Sequence, residues 1–195
     1  MQEETMLTIR FFQNPPGDRS IPARDLAAAL LGRDPGPLPL SAFGKPALPF
    51  PGLHFSKSDS GPLTLFVLSD RPCGADLQRI VPLKEEGLSL ARRFFRPEEA
   101  AALEAMGEGE AREAFFRLWV RKEAYLKYTG RGLSAGLSAF ALEERAPGVF
   151  SVLPGPGLPP ALVLDLPAPE GYLAALCLPP EGDPSPVSLD PRALF

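Results

Sequence analysis

Trp119-Val120-Arg121-Lys122-Glu123-Ala124-Tyr125-Leu126-Lys127 lies inside a stretch whose periodicity predicts one long helix, from about Ala111 to Tyr128. At roughly 100° per residue, Phe115, Phe116, Leu118, Trp119 and Leu126 share one broad apolar arc. Lys122 and Glu123 fall within that arc, while Glu113, Arg117 and Arg121 supply the solvent side. Charges among core-facing aromatics cost several kcal/mol each unless they are paired or bind an ion. Glu123 and Lys127 stand in the favoured i,i+4 order of a surface ion pair. A surface pair accounts for Lys127 and leaves Lys122 unexplained, so structural and functional readings both stand on spacing alone.

Composition bounds the rest. The chain has 195 residues, 45% of them hydrophobic and 23% charged, with a net charge of −4. It is long enough for one large domain or two small ones. The acidic balance argues against a nucleic-acid binder driven by overall charge. Met1-Gln2-Glu3-Glu4 has no basic run and no apolar stretch approaches 18 residues, so neither a signal peptide nor a membrane span is expected. Cys73 and Cys177 stand far apart and without metal spacing, which fits free thiols in a cytoplasmic protein. Proline is abundant at 25 residues, and Asn14 is the sole asparagine. That bias fits a thermophile, and high genomic GC content would produce much the same.

Outward from the helix, Thr5–Gln13 reads as a first strand and Ile21–Leu31 as a short amphipathic helix stopped by Gly32. A proline-rich passage runs from Asp34 to Pro51. Leu63–Leu68 reads as a buried strand, with Cys73–Ile80 expected beside it across the turn Ser69-Asp70-Arg71-Pro72. Leu88–Phe95 and Pro97–Met106 read as helices before the long one, which Gly130 and Gly132 end. Val149–Leu153, Ala161–Leu166 and Tyr172–Leu178 follow as strands of an antiparallel sheet, and the tail from Pro179 as an extended surface segment. Strands and helices in separate blocks point to an α+β fold.

Asp76 in Gly74-Ala75-Asp76-Leu77-Gln78 shares a strand face with Gln78, as simple alternation would also produce. With Glu123 these residues would form a hard, oxygen-rich set suited to Mg²⁺, which keeps several waters and takes one or two carboxylates plus substrate phosphates.

Five segments then occur in order: Gly44-Lys45-Pro46; Leu53-His54-Phe55-Ser56-Lys57-Ser58-Asp59-Ser60-Gly61; Gly74-Ala75-Asp76-Leu77-Gln78; Arg93-Phe94-Phe95 with Glu98 or Glu99; and Trp119 to Lys127. In these the chain resembles the 4′-phosphopantetheinyl transferases of the larger, surfactin-synthetase-activating type. The last segment matches that family's Trp-x-x-Lys-Glu-Ala-x-x-Lys signature completely. The resemblance implies two similar α/β subdomains in a pseudo-twofold arrangement, each a small, mostly antiparallel sheet packed by helices, divided as 1–84 and 85–195. It implies transfer of the phosphopantetheine arm from coenzyme A to a serine of an acyl or peptidyl carrier protein, by an enzyme that usually acts as a monomer. Asp76, Glu123 and Gln78 would then hold Mg²⁺. Glu123, Lys122 and Lys127 would carry the chemistry. Lys45, Ser58, Asp59, Lys127 and, more loosely, Arg24 would hold coenzyme A.

Two departures stand out. Gln78 replaces the family's second acid, and Asp59 stands where the family usually has a histidine near the 3′-phosphate of coenzyme A. A carboxylate there would repel that phosphate, and Lys57, on the same face of an extended segment, would offset it. These departures keep two further readings open: a non-catalytic relative that binds a carrier or nucleotide, and a transferase preferring dephospho-coenzyme A. His54, beside Leu53 and Phe55, reads as structural. Arg92, Arg93, Arg96, Arg112, Arg117 and Arg121 form either a docking patch for an acidic carrier or an ordinary solvated helix face.

Overall fold

A computed structural model of the chain describes residues 6–17, 20–82, 85–132 and 136–180. The extended tail expected from Pro179 falls on residues 181–195, outside the described residues.

The first sheet is built around β3 (Leu63–Ser69), nearly all of which is buried. β1 (Leu7–Gln13) and β2 (His54–Ser60) pair with it antiparallel on either side, giving the order β1-β3-β2. Alternation on β3 sends Leu65 and Val67 to one face and Phe66 and Leu68 to the other. The second face is covered by Leu26 and Ala27 of α1 (Ala23–Leu31). Phe55 of β2 stacks on Phe66 there at 5.3 Å.

The second sheet has five strands in the order β4-β8-β7-β6-β5, all antiparallel. They are β4 (Gly74–Arg79), β5 (Phe140–Ala146), β6 (Val149–Pro154), β7 (Leu162–Leu166) and β8 (Tyr172–Leu178). Here the expected pairing of Cys73–Ile80 with Leu63–Leu68 is corrected. β4 hydrogen-bonds to β8, from Gly74 opposite Cys177 to Arg79 opposite Tyr172. Both edges of β3 are already taken by β1 and β2, so no ladder position remains for β4.

One face of the second sheet offers Ala174, Leu176 and Leu178 of β8 to Ile9, Phe11, Leu65 and Val67 of the first. The other face, with Ala175 and Cys177, carries α4 (Glu108–Thr129). The layers therefore run α1, first sheet, second sheet, α4. The short helices α2 (Glu85–Phe94) and α3 (Pro97–Glu104) lie in the chain just before α4, and α3 packs on its side. The fold is α+β, as its segregated strand and helix blocks indicate. Among the described residues no helix is long and apolar enough to cross a membrane.

Gly74 fixes how closely α4 lies on β4. A Cβ there would meet the Ala124 carbonyl oxygen at 2.1 Å and the Tyr128 nitrogen at 2.2 Å, so only hydrogen fits between strand and helix backbones. α4 ends in Gly130, whose φ of 69° is the left-handed conformation of a helix cap.

Candidate active site

The close contact at Gly74 determines what faces what. Gly74, Asp76 and Gln78 alternate onto the α4 side of β4, and Lys127 lies one turn after Glu123 on α4. Lys127 Nζ stands 2.7 Å from Asp76 Oδ1, and Asp76 is 2% exposed. The same oxygen accepts a hydrogen bond of 2.6 Å from the Ser58 hydroxyl, and Oδ2 accepts one of 3.2 Å from Gln78 Nε2. Glu123 is half-buried nearby. Burial raises its pKa above the ordinary glutamate value, the Asp76 charge raises it further, and Lys127 opposes both. Asp76, Glu123 and Lys127 thus form one cluster of two acids and a cation.

A cavity of about 380 Å³ opens beside them, lined by Lys45, Lys57, Asp59 and Lys127 among others. Lys45 Nζ donates to the Cys73 carbonyl at 2.9 Å and the Lys127 carbonyl at 2.6 Å, tying the 44–46 turn to the end of α4. Burial lowers its pKa, and the Lys127 charge adds to that. Lys57 and Asp59 form an ion pair on one face of β2, as alternation predicts. Burial alone would raise the Asp59 pKa, but hydrogen bonds from Lys57 and Thr64 hold it below the ordinary aspartate value.

Several predicted residues lie elsewhere. Lys122 does not reach this cluster. It is fully buried on a different side of α4, where Nζ pairs with Glu99 Oε1 at 2.9 Å and donates to the carbonyls of Leu137 at 2.8 Å and Phe140 at 3.0 Å. Three ammonium donors meet three acceptors, and the Phe140 ring lies 4.6 Å away. Lys122, expected among the residues that carry the chemistry, is thus placed apart from Asp76 and Lys127, with its ammonium held by Glu99 and two carbonyls. Arg24 is exposed and pairs with Asp34, while its neighbour Ala23 lines the cavity. Ser58 faces Asp76, and its hydroxyl also accepts from the Leu77 N–H.

The arginine cluster is largely neutralised. Arg92 pairs with Glu104, Arg96 with Glu98 and Arg117 with Glu113. Arg121 grips Asp165 with two bonds of 2.8 and 2.7 Å and lies over the Phe150 ring. Of the two alternatives, paired structural and surface residues fit better than a free basic patch. Cys73 and Cys177 are buried free thiols, and burial pushes Cys73 up to about 12.

Ser56 and Ser60 carry roles that motif reading passed over. The N–H groups of Ala75 and Arg79 donate to their hydroxyls, each at 2.8 Å. The signal was present as Ser56-Lys57-Ser58-Asp59-Ser60, serine at every second position of a strand.

Comparison with known proteins places these residues in a family. The family model described as the 4′-phosphopantetheinyl transferase superfamily matches residues 72–177, which include Asp76, Glu123 and Lys127. The chain is 31% identical over 157 residues to a 4′-phosphopantetheinyl transferase of Bacillus subtilis, an alignment covering 79% of this chain and 69% of that one. It is 31% identical over 136 residues to the 4′-phosphopantetheinyl transferase Sfp of Bacillus subtilis strain 168, covering 69% and 59%. With the 4′-phosphopantetheinyl transferase AcpT of Salmonella typhimurium strain LT2 it shares 38% over 128 residues, covering 63% and 65%. The chain spans from 59% to 69% of the length of these three relatives. By its family match and its similarity to these relatives, the chain belongs to the 4′-phosphopantetheinyl transferase superfamily.

Proposed function

We propose that this chain transfers the 4′-phosphopantetheine group from coenzyme A to a serine hydroxyl of an acyl or peptidyl carrier protein, with Mg²⁺ as its metal. The observation that carries the reading is the convergence of Asp76, Glu123 and Lys127 beside a cavity lined by lysines. The serine oxygen forms a bond to the phosphorus bearing the pantetheine arm. The phosphoanhydride bond breaks, adenosine 3′,5′-bisphosphate leaves, and the serine proton goes to a base.

Lys127 and Lys45 offer positive charge where a pyrophosphate would lie, and stabilise charge developing on the leaving oxygen. Glu123, half-buried beside Asp76 and Lys127, is the proton acceptor this site offers to the serine hydroxyl. The donor set fits a hard divalent cation. Asp76 and Glu123 repel one another, and two carboxylate oxygens with room for waters and phosphate suit Mg²⁺. When bound there, Mg²⁺ would supply Lewis-acid stabilisation of the phosphate charge. Gln78, donating to Asp76 Oδ2, supports that carboxylate from outside.

The test is incubation of apo-carrier proteins from the same genome with coenzyme A, Mg²⁺ and this protein, read by mass spectrometry. A phosphopantetheine adduct that Glu123→Ala abolishes is expected. No adduct on any carrier sinks the reading. One observation favours a variant of it, in which dephospho-coenzyme A is the better donor: Asp59 occupies Lys57, one of the cavity's lysines. Rates with the two donors side by side decide it, and a clear preference for coenzyme A rejects the variant.

A further inference from the structure

β4 uses one backbone edge to pair with β8, and among the described residues its other edge meets no strand ladder. The N–H groups on that edge are met by side chains. Ala75 N–H donates to Ser56 Oγ at 2.8 Å, Leu77 N–H to Ser58 Oγ at 3.1 Å and Arg79 N–H to Ser60 Oγ at 2.8 Å. The serines advance in step with their partners, so β2 lies parallel to β4 and docks on it through a comb of three hydroxyls. Buried N–H groups left unpaired would each cost roughly 1–3 kcal/mol, so the comb joins the two sheets.

The middle hydroxyl differs from its neighbours. While Ser58 Oγ accepts from Leu77 N–H, its own proton goes to Asp76 Oδ1 at 2.6 Å. The backbone bond fixes where the oxygen sits, and the oxygen then fixes the carboxylate rotamer. Ser58 is 4% exposed and Asp76 2%, so no bulk water competes for either bond. Ser60, at the open end of the comb, docks Arg79 N–H, with Arg79 itself exposed.

We propose that Ser58 is a positioning residue that orients the Asp76 carboxylate for its cation, a role that Ser60 does not share. The inference rests on Asp76 being the metal-binding carboxylate of the proposed function. Outer partners that hold a ligating carboxylate are worth about tenfold to a hundredfold in metal affinity.

The experiment uses the full chain and Mn²⁺ as the probe, with free ion followed by electron paramagnetic resonance and stability by urea denaturation. Ser58→Ala should weaken Mn²⁺ binding about tenfold. Ser60→Ala should reduce stability yet leave Mn²⁺ affinity within about twofold, while Ser58→Thr, which keeps the hydroxyl, should bind as wild type. Should Ser58→Ala fail to fold, Ser58→Cys, with only a weak donor, should show the loss relative to Ser58→Thr. Undiminished Mn²⁺ binding by Ser58→Ala or Ser58→Cys, where Asp76→Ala loses it, overturns the inference alone. Equal weakening by Ser60→Ala overturns it too, since docking would then explain the effect. No Mn²⁺ site in the wild type, or an unchanged one in Asp76→Ala, overturns the metal reading and the inference together.

Discussion

Lys122 Nζ sits 2.9 Å from Glu99 Oε1 inside an aromatic core, while the next residue, Glu123, belongs with Asp76 on another side of the same helix. The Lys-Glu pair in the signature is thus divided between two tasks. Lys122 ties α4 to α3 and to the start of β5, which fixes the rotation of α4 about its axis. Glu123 and Lys127 then point where that rotation sends them.

The first prediction follows from the burial of that pair. Lys122→Met leaves Glu99 charged and facing apolar surroundings, and breaking a buried pair from one side costs about 3–5 kcal/mol. Adding Glu99→Gln neutralises the orphaned charge and keeps the side chain that caps α3 through the Arg96 N–H. The double variant should therefore recover much of the lost stability in urea denaturation. Equal midpoints for single and double variants would show that the pair carries no such penalty.

Gly74→Ala tests the strand–helix contact. The added methyl would overlap the backbone of α4 at Ala124 and Tyr128, which cannot give as a flexible side chain would. Overpacking of this kind costs typically 1–3 kcal/mol, and a backbone clash belongs at or above the upper end. Transfer activity should fall further than stability, because α4 must move away from β4 and so separate Lys127 from Asp76. A variant with normal stability and rate would count against this geometry.

Much of the architecture was legible in the sequence where period and length were strong. β3, β6, β7, β8 and α4 lie close to their expected positions because each is a sustained apolar pattern bounded by turn residues. β2 and β5 escaped strand assignment for the opposite reason. β2 presents Ser-Lys-Ser-Asp-Ser and β5 is a mostly exposed edge strand carrying Glu143, Glu144 and Arg145, so neither shows apolar alternation. The partner of β4 was hidden because β8 lies about a hundred residues away, beyond the reach of any local signal. At the site, burial of Lys122 was legible from the helix arc. Its partner Glu99 was not, since an i,i+3 or i,i+4 rule says nothing about a neighbouring helix.

Glu123 gives a pH dependence with a definite sign. Its folded-state pKa is raised, by burial first and then by Asp76. Below the ordinary glutamate range, folded and unfolded chains both hold the proton and there is no penalty. As pH rises through that range the unfolded chain ionises first, so stability falls until the raised folded value is passed. Glu123→Gln should remove this slope and be the more stable form at neutral pH. Urea midpoints measured across pH 4 to 8 in chelator check it, about the range where the effect lies. Parallel curves for the two proteins would refute the coupling.

Chelation separates chemistry from folding. Asp76 already accepts from Ser58 and Gln78 and pairs with Lys127, so its charge is compensated within the protein itself. Excess EDTA should therefore abolish transfer while lowering the thermal midpoint by no more than about 4 °C, the equivalent of roughly 1 kcal/mol for a chain of this size. A loss of cooperative unfolding on chelation would instead show that the cation is a folding element.

Asp59 provides the last expected outcome. Its carboxylate holds Lys57 on the cavity wall, with Lys57 only 15% exposed at the side chain and Asp59 38% exposed. Asp59→Asn keeps the shape and the Thr64 contact but releases the lysine charge toward an anionic donor. Partly exposed pairs of this kind are worth about 0.2–1 kcal/mol. The KM for coenzyme A should fall by roughly twofold to fivefold, with kcat little changed, because the freed charge binds ground and transition states alike. The effect should shrink as ionic strength rises, since Asp59 is partly open to solvent. If the KM instead rises, the Lys57–Asp59 pair acts as a built wall that shapes the cavity, and releasing the lysine deforms it.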